Sequence, residues 1–199
     1  MSSAPAAGAD VSATARQYPM APLIRFTLIG LYLALVLPLP ALAPPELRAG
    51  LGLALPLGLL LVVAVTSEQV SVDDSGLAVG HPRWCAWLLR RGWRLEWREI
   101  TGLTPVATSQ GGRVWYVHRA TAAATASPGQ AYLLPQRVQQ LEGLMEQLQA
   151  RTGLDTSAIG RISPPWTYQL LAGLTALMLA AEVVAGAALA RGGWAIPGP

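Results

Sequence analysis

The chain contains no lysine and one cysteine, and charged residues make up only 13% of its 199 positions. The lone Cys85 excludes an intramolecular disulfide and any metal cage built from several cysteines. All 14 basic residues are arginine, a bias that accompanies abundant Ala, Gly and Pro and carries no functional weight by itself. The low charge stands beside 52% hydrophobic residues and a mean hydropathy of +0.39, too apolar for a soluble domain with an ordinary surface. A simple soluble enzyme and a disordered polar protein are both excluded. There is no internal repeat, no acidic or basic tail, and no glycine-rich phosphate loop, HExxH, GxSxG or kinase-type motif.

The hydrophobicity is concentrated in three stretches. Leu23 to Ala43 is 21 residues with one charge, Arg25, near the edge, where it can snorkel. Ala49 to Val65 is 17 residues without a charge, marginal against the roughly 20 apolar residues that a helical span needs. Between Arg161 and Arg191 lie 29 residues whose single charge is Glu182. Pro44-Pro45-Glu46 reads as a tight polar turn that makes the first two stretches an antiparallel hairpin, with Pro38, Pro40 and Pro56 as kinks. The first apolar core is too long for a cleaved signal peptide, and a second follows at once. The stretch from Thr66 to Pro165 carries ten Arg against eight acids. By the positive-inside rule, the N-terminus and central region are then expected on the cytoplasmic or stromal side.

Between the spans the period changes to two. Gln69–Val72 and Leu77–Val79 read as strands around an Asp73-Asp74-Ser75-Gly76 turn. Trp93, Leu95 and Trp97 share one face of a strand whose other face carries Arg94 and Glu96. Ile100 to Val106, Val114 to His118 and Tyr132 to Leu134 are further strands, and Gln110-Gly111-Gly112 is a turn. Thr121 to Gly129 is a loop. Val138, Leu141, Leu144, Met145 and Leu148 then form one stripe of an amphipathic helix that Gly153 ends. The expected fold is a transmembrane helical hairpin plus a small α+β domain, its antiparallel strands closed by one C-terminal helix, followed by a third transmembrane helix. The boundaries are a disordered tail over 1–21, the hairpin over 22–66, the domain over 67–160, and the last span with a short tail over 161–199.

The most unusual stretch runs from His81 to Arg98, with five Arg and one Glu. Arg83, Arg90, Arg91 and Arg94 interleave with Trp84 and Trp87, which suits indoles at headgroup depth and guanidinium groups facing lipid phosphates or sulfonates. A protein-docking face, or indoles filling the domain core, are the alternatives. The basic residues are confined to one stretch, which argues against nucleic acid. His81, His118 and Cys85 have no recognised ligand spacing, so neither metal nor cofactor is expected. Asp73 and Asp74 fit a hairpin turn better than a carboxylate pair. Glu182 is the intramembrane polar residue of interest. Such an acid is costly, so it is expected either near the interface or paired with a partner's cation, and Ala180, Ala181, Ala185 and Gly186 around it form a close-packing face.

The hairpin leading into "SEQVSVDDSGLAVG", the strand ending in "WREI" and the helix after "YLLP" resemble bacterial pleckstrin-homology-like membrane proteins. In layout they are also similar to the two-span photosystem I assembly family of cyanobacteria and chloroplasts, from which this chain departs by its third span. "PRWCAWLLRRGW" resembles an uncharacterised cyanobacterial membrane family. These resemblances, over about residues 25–155, imply a PH-like domain on a thylakoid or plasma membrane. The absence of a catalytic constellation, the small-residue face around Glu182 and the Trp/Arg stretch point to a non-enzymatic membrane protein that assists assembly, docking or stabilisation of other membrane proteins, and the resemblance implies photosynthetic complexes as its clients. Its partners would be membrane lipids and complex subunits. An anionic-lipid-binding module is the second expectation. A lipid-modifying or redox enzyme would need His81, His118 and an acid to converge.

Overall fold

The computed structural model describes residues 15–89, 92–109, 112–120, 130–161 and 165–191. A short strand, β1 (Arg16–Pro19), precedes helix α1 (Pro22–Val36). Pro38, which has no N–H to give the preceding turn, separates α1 from the single turn α2 (Leu39–Leu42). Helix α3 (Pro45–Val65) follows directly, with Pro45 in its first turn. The expected polar turn at Pro44–Glu46 is thus mostly helix. A proline at the start of a helix loses no hydrogen bond, because the first N–H groups have no intrahelical acceptor. This extension turns the marginal second stretch into a full span. Pro22–Leu42, Pro45–Val65 and Trp166–Ala190 are all long and apolar enough to cross a membrane.

Two antiparallel sheets lie between the second and third of these helices. In the first, β2 (Gln69–Val72), β3 (Gly76–Gly80) and β4 (Trp93–Glu96) pair in order, and β1 joins the free edge of β2. A 3-10 turn over Trp97–Glu99 then leads into β5 (Ile100–Ala107), which pairs with β6 (Arg113–Arg119), and β6 with β7 (Ala131–Leu134). Trp97 therefore leaves the strand expected for it. The Glu96 N–H donates to the Glu99 carboxylate at 3.0 Å and turns the chain there. Helix α4 (Leu141–Thr152) closes the domain, and Gly153, at φ 70°, caps it in the left-handed region. Helix α5 (Pro165–Ala190) follows. The expected loop at Thr121–Gly129, and Gln110 and Gly111 of the expected turn, lie outside the described residues.

The expected disordered tail of residues 1–21 needs correction over its last part. Tyr18 is fully buried, and β1 is an edge strand in register with β2, Tyr18 opposite Val70. Its outer side is also paired. The Ala21 N–H donates to the Arg137 carbonyl at 2.8 Å, the Gln139 N–H to the Pro19 carbonyl at 2.7 Å, and Met20 bridges Val138. Arg16 to Ala21, just before the first span, thus staple β2 to the segment between β7 and α4, and the helical hairpin is an insertion between β1 and β2. Period two cannot be seen in so short a segment.

The core collects the inward residues of both sheets, Val70, Val72, Leu77, Val79, Leu95, Trp115, Val117 and Leu134. Against them pack Leu141, Leu144, Met145 and Leu148, the expected stripe of α4. Gly76 is required where it stands. A side chain there would strike the Leu95 carbonyl across the strand pair.

Candidate functional site

The His81–Arg98 stretch does not form one surface. Beyond β3, Pro82 starts a tight turn in which the Cys85 and Ala86 N–H groups both donate to the Pro82 carbonyl at 3.0 Å. Cys85 is 2% exposed, and its Sγ lies 3.9 Å from the Ala64 carbonyl on the last turn of α3. Pinned there, the turn projects Trp84 (48% exposed), Trp87 (80% exposed) and Leu88 outward, with Arg83 also exposed. The Trp87 indole N–H donates to the Trp84 carbonyl at 2.9 Å. These two tryptophans are therefore not core residues. They form an apolar projection beside the end of an apolar helix, a geometry suited to indoles at a membrane interface. Trp166, at the start of α5, is also exposed.

Arg94 lies elsewhere. The β2–β3 hairpin carries its turn at the end away from α3, and Arg94 donates there to the Asp73 carboxylate at 2.6 Å. Asp73 also accepts from the Ser75 hydroxyl at 2.6 Å and from the Ser75 and Gly76 N–H groups at 2.9 Å. Burial pushes the Asp73 carboxyl up, but these donors and the Arg94 guanidinium outweigh it and hold it at about 2. Asp73 and Arg94 are thus a structural clasp. Arg98 pairs with Glu96 at 2.7 Å. Arg90 and Arg91 lie outside the described residues.

His118, on β6, meets the Thr104 hydroxyl at 2.8 Å, and His81 follows β3 in the other sheet. Among the described residues, no three His, Cys, Asp or Glu side chains stand close enough to share a metal ion.

Glu182 lies on α5 against a groove of about 430 Å³ that Leu37, Pro38, Ala41 and Leu42 line from the other side. Its Oε2 is buried and has no hydrogen-bond partner among the described residues. Nearer the sheets, α1 and α5 touch closely, because Gly30 leaves space that the Thr175 methyl fills. The buried Thr27 and Thr175 hydroxyls donate to their own helices, to the Leu23 carbonyl at 2.7 Å and the Leu171 carbonyl at 2.8 Å. The two helices meet without needing polar contacts across their interface. Their apolar pairing gives way to the groove where Ala185, Gly186 and Glu182 face α2.

One polar cleft was not anticipated. Arg113, Gln136 and Arg161 line about 400 Å³ together with Gly112, Trp115, Ala158 and Gly160. The three polar residues are far apart in the chain, and none sits in a motif.

No family model matches the chain, and no solved structure matches it. It is 39% identical over 173 residues, 83% of each chain, to the "Uncharacterized protein slr0269" of Synechocystis sp.. The chain belongs to the family of that cyanobacterial protein.

Proposed function

We propose that this is a non-enzymatic integral membrane protein that docks a second membrane protein, acting as an assembly or stabilising factor for membrane complexes. The observation that carries this reading is Glu182. A carboxylate oxygen buried in an apolar helix face without a donor is expensive in lipid, and a donor on a partner helix would relieve that cost. Small residues beside it, Ala185 and Gly186, allow such a helix to approach closely.

The extramembrane part is read as PH-like. Four strands and three strands in two antiparallel sheets, closed by one helix, support that reading. The excess of arginine between the second and third spans supports a cytoplasmic or stromal position for the domain. The cyanobacterial relative makes the thylakoid membrane and a photosynthetic client the first choices.

The test is affinity capture of the tagged full-length protein in mild detergent, with mass spectrometry of the co-purifying subunits. Defined membrane-protein subunits, lost in Glu182→Ala and kept in Trp84→Ala/Trp87→Ala, are expected. A preparation holding lipid alone would overturn the docking reading. A second reading, an anionic-lipid module, draws on Arg83 beside the exposed Trp84 and Trp87. It requires vesicle binding that falls steeply with salt in the wild type and is weakened in Arg83→Gln.

A further inference from the structure

The cleft between β6 and the segment after α4 has the chemistry of a ligand site. Gln136 is only 3% exposed, and its Nε2 donates to the Gly160 carbonyl at 2.6 Å. A carbonyl can only accept, so this bond fixes which way the amide faces. Oε1, an acceptor, is then the atom left buried without a partner among the described residues. A buried amide oxygen in that state lacks a donor and is costly. The same cleft is lined by Arg113 and Arg161, two exposed residues whose guanidinium groups meet no carboxylate among the described residues.

Two cationic forks and one lone acceptor define a complementary ligand. The forks fit a phosphate or sulfonate, whose oxygens accept two N–H bonds at once. The Gln136 oxygen rejects such an anion and demands a donor, which a hydroxyl supplies. We infer that the cleft binds a hydroxyl-bearing anionic headgroup, a polyol phosphate or sulfonate, with the anion on Arg113 and Arg161 and a hydroxyl donating to Gln136.

Its location suits a lipid. Arg161 is four residues from the first residue of α5, and the Arg137 carbonyl beside Gln136 accepts from Ala21, at the root of α1. The volume of about 400 Å³ takes a headgroup, and any acyl chains would lie alongside the apolar helices. Neither Glu182 nor the Trp84–Trp87 turn takes part, so the inference stands apart from the docking reading.

Native mass spectrometry of the full-length protein in mild detergent, titrated with three lipids, tests it. Phosphatidylglycerol carries both phosphate and free hydroxyls, phosphatidic acid only the phosphate, and phosphatidylcholine no net charge. Phosphatidylglycerol is expected to bind about tenfold tighter than phosphatidylcholine, and Arg113→Gln or Arg161→Gln to remove most of that margin. Gln136→Met should bring phosphatidylglycerol down to phosphatidic acid while leaving phosphatidic acid unchanged. Glycerol 3-phosphate separates the two sources of the headgroup. Displacement of the lipid by equimolar glycerol 3-phosphate assigns a soluble polyol phosphate, and failure to displace assigns the lipid. Equal retention of phosphatidylglycerol and phosphatidylcholine, or arginine variants that bind like the wild type, would overturn the site. Both arginines are exposed, so their variants leave the core intact and remain informative if Gln136→Met unfolds.

Discussion

The Cys85 thiol rests 3.9 Å from the Ala64 carbonyl, so a turn of the sheet domain is seated on the last turn of α3. Everything that Trp84 and Trp87 can reach follows from that contact. In vesicles containing lipids brominated near the headgroup, part of the tryptophan fluorescence should be quenched through these two indoles. Trp84→Phe/Trp87→Phe should remove that part, and unchanged quenching would contradict an interfacial position. Cys85→Leu overfills the seat, a change that destabilises by about 1–3 kcal/mol, and should shift the quenching depth as well.

Asp73 makes the stability of the domain depend on acid. Its folded carboxyl, at about 2, lies below the ordinary 3.8. The unfolded chain therefore binds the proton more readily, so this contribution is complete above pH 4 and is lost as pH falls through 2. Asp73→Asn should lower the thermal midpoint at pH 7, by near-ultraviolet circular dichroism, yet flatten its decline between pH 5 and pH 2. A parallel decline in both proteins would dismiss the clasp.

Tyr18 offers two substitutions of opposite sign. Tyr18→Ala removes a fully buried ring from the core and should destabilise by about 3–5 kcal/mol. Tyr18→Phe removes only a hydroxyl that is buried without a partner among the described residues, and should be neutral or stabilising by about 1 kcal/mol. Burial also raises the Tyr18 hydroxyl above its ordinary value, the direction expected for an ionisation that the core resists. Denaturant melts of the full chain would separate the two. A loss on Tyr18→Phe would mean that the hydroxyl is satisfied.

Within the helical hairpin, the Tyr32 hydroxyl donates to the Leu55 carbonyl at 2.7 Å, and Gly58 leaves the space it occupies. Tyr32→Phe should cost about 0.6–1.7 kcal/mol. Gly58→Ala pushes the same hydroxyl aside, so the double variant should cost less than the two single losses added together. Strict additivity in unfolding by a denaturing detergent would show that the two residues act independently.

Much of the architecture was written locally in the chain. The three spans follow from runs of apolar residues, because a helix that satisfies its own backbone can hide in lipid wherever its side chains are apolar. The strands β2, β3, β6 and β7 and the stripe of α4 follow from periods of two and 3.6, which record one buried face. The turn at Asp73 and the cap at Gly153 follow from the backbone conformations that those residues favour.

Tertiary structure alone decided the rest, because it depends on which distant residues meet. That Arg16–Pro19 completes a sheet whose next strand begins at Gln69 is a matter of pairing across an inserted hairpin. Arg94 shares its charge and its stretch of chain with Arg83, yet Asp73 captures it at the far end of the sheet. Gln136, an ordinary polar residue by sequence, becomes a buried acceptor in one cleft with Arg113 and Arg161 only when β6 and the segment before α5 close around it. Hydropathy along a chain measures what each residue prefers to touch; the fold determines what is there to be touched.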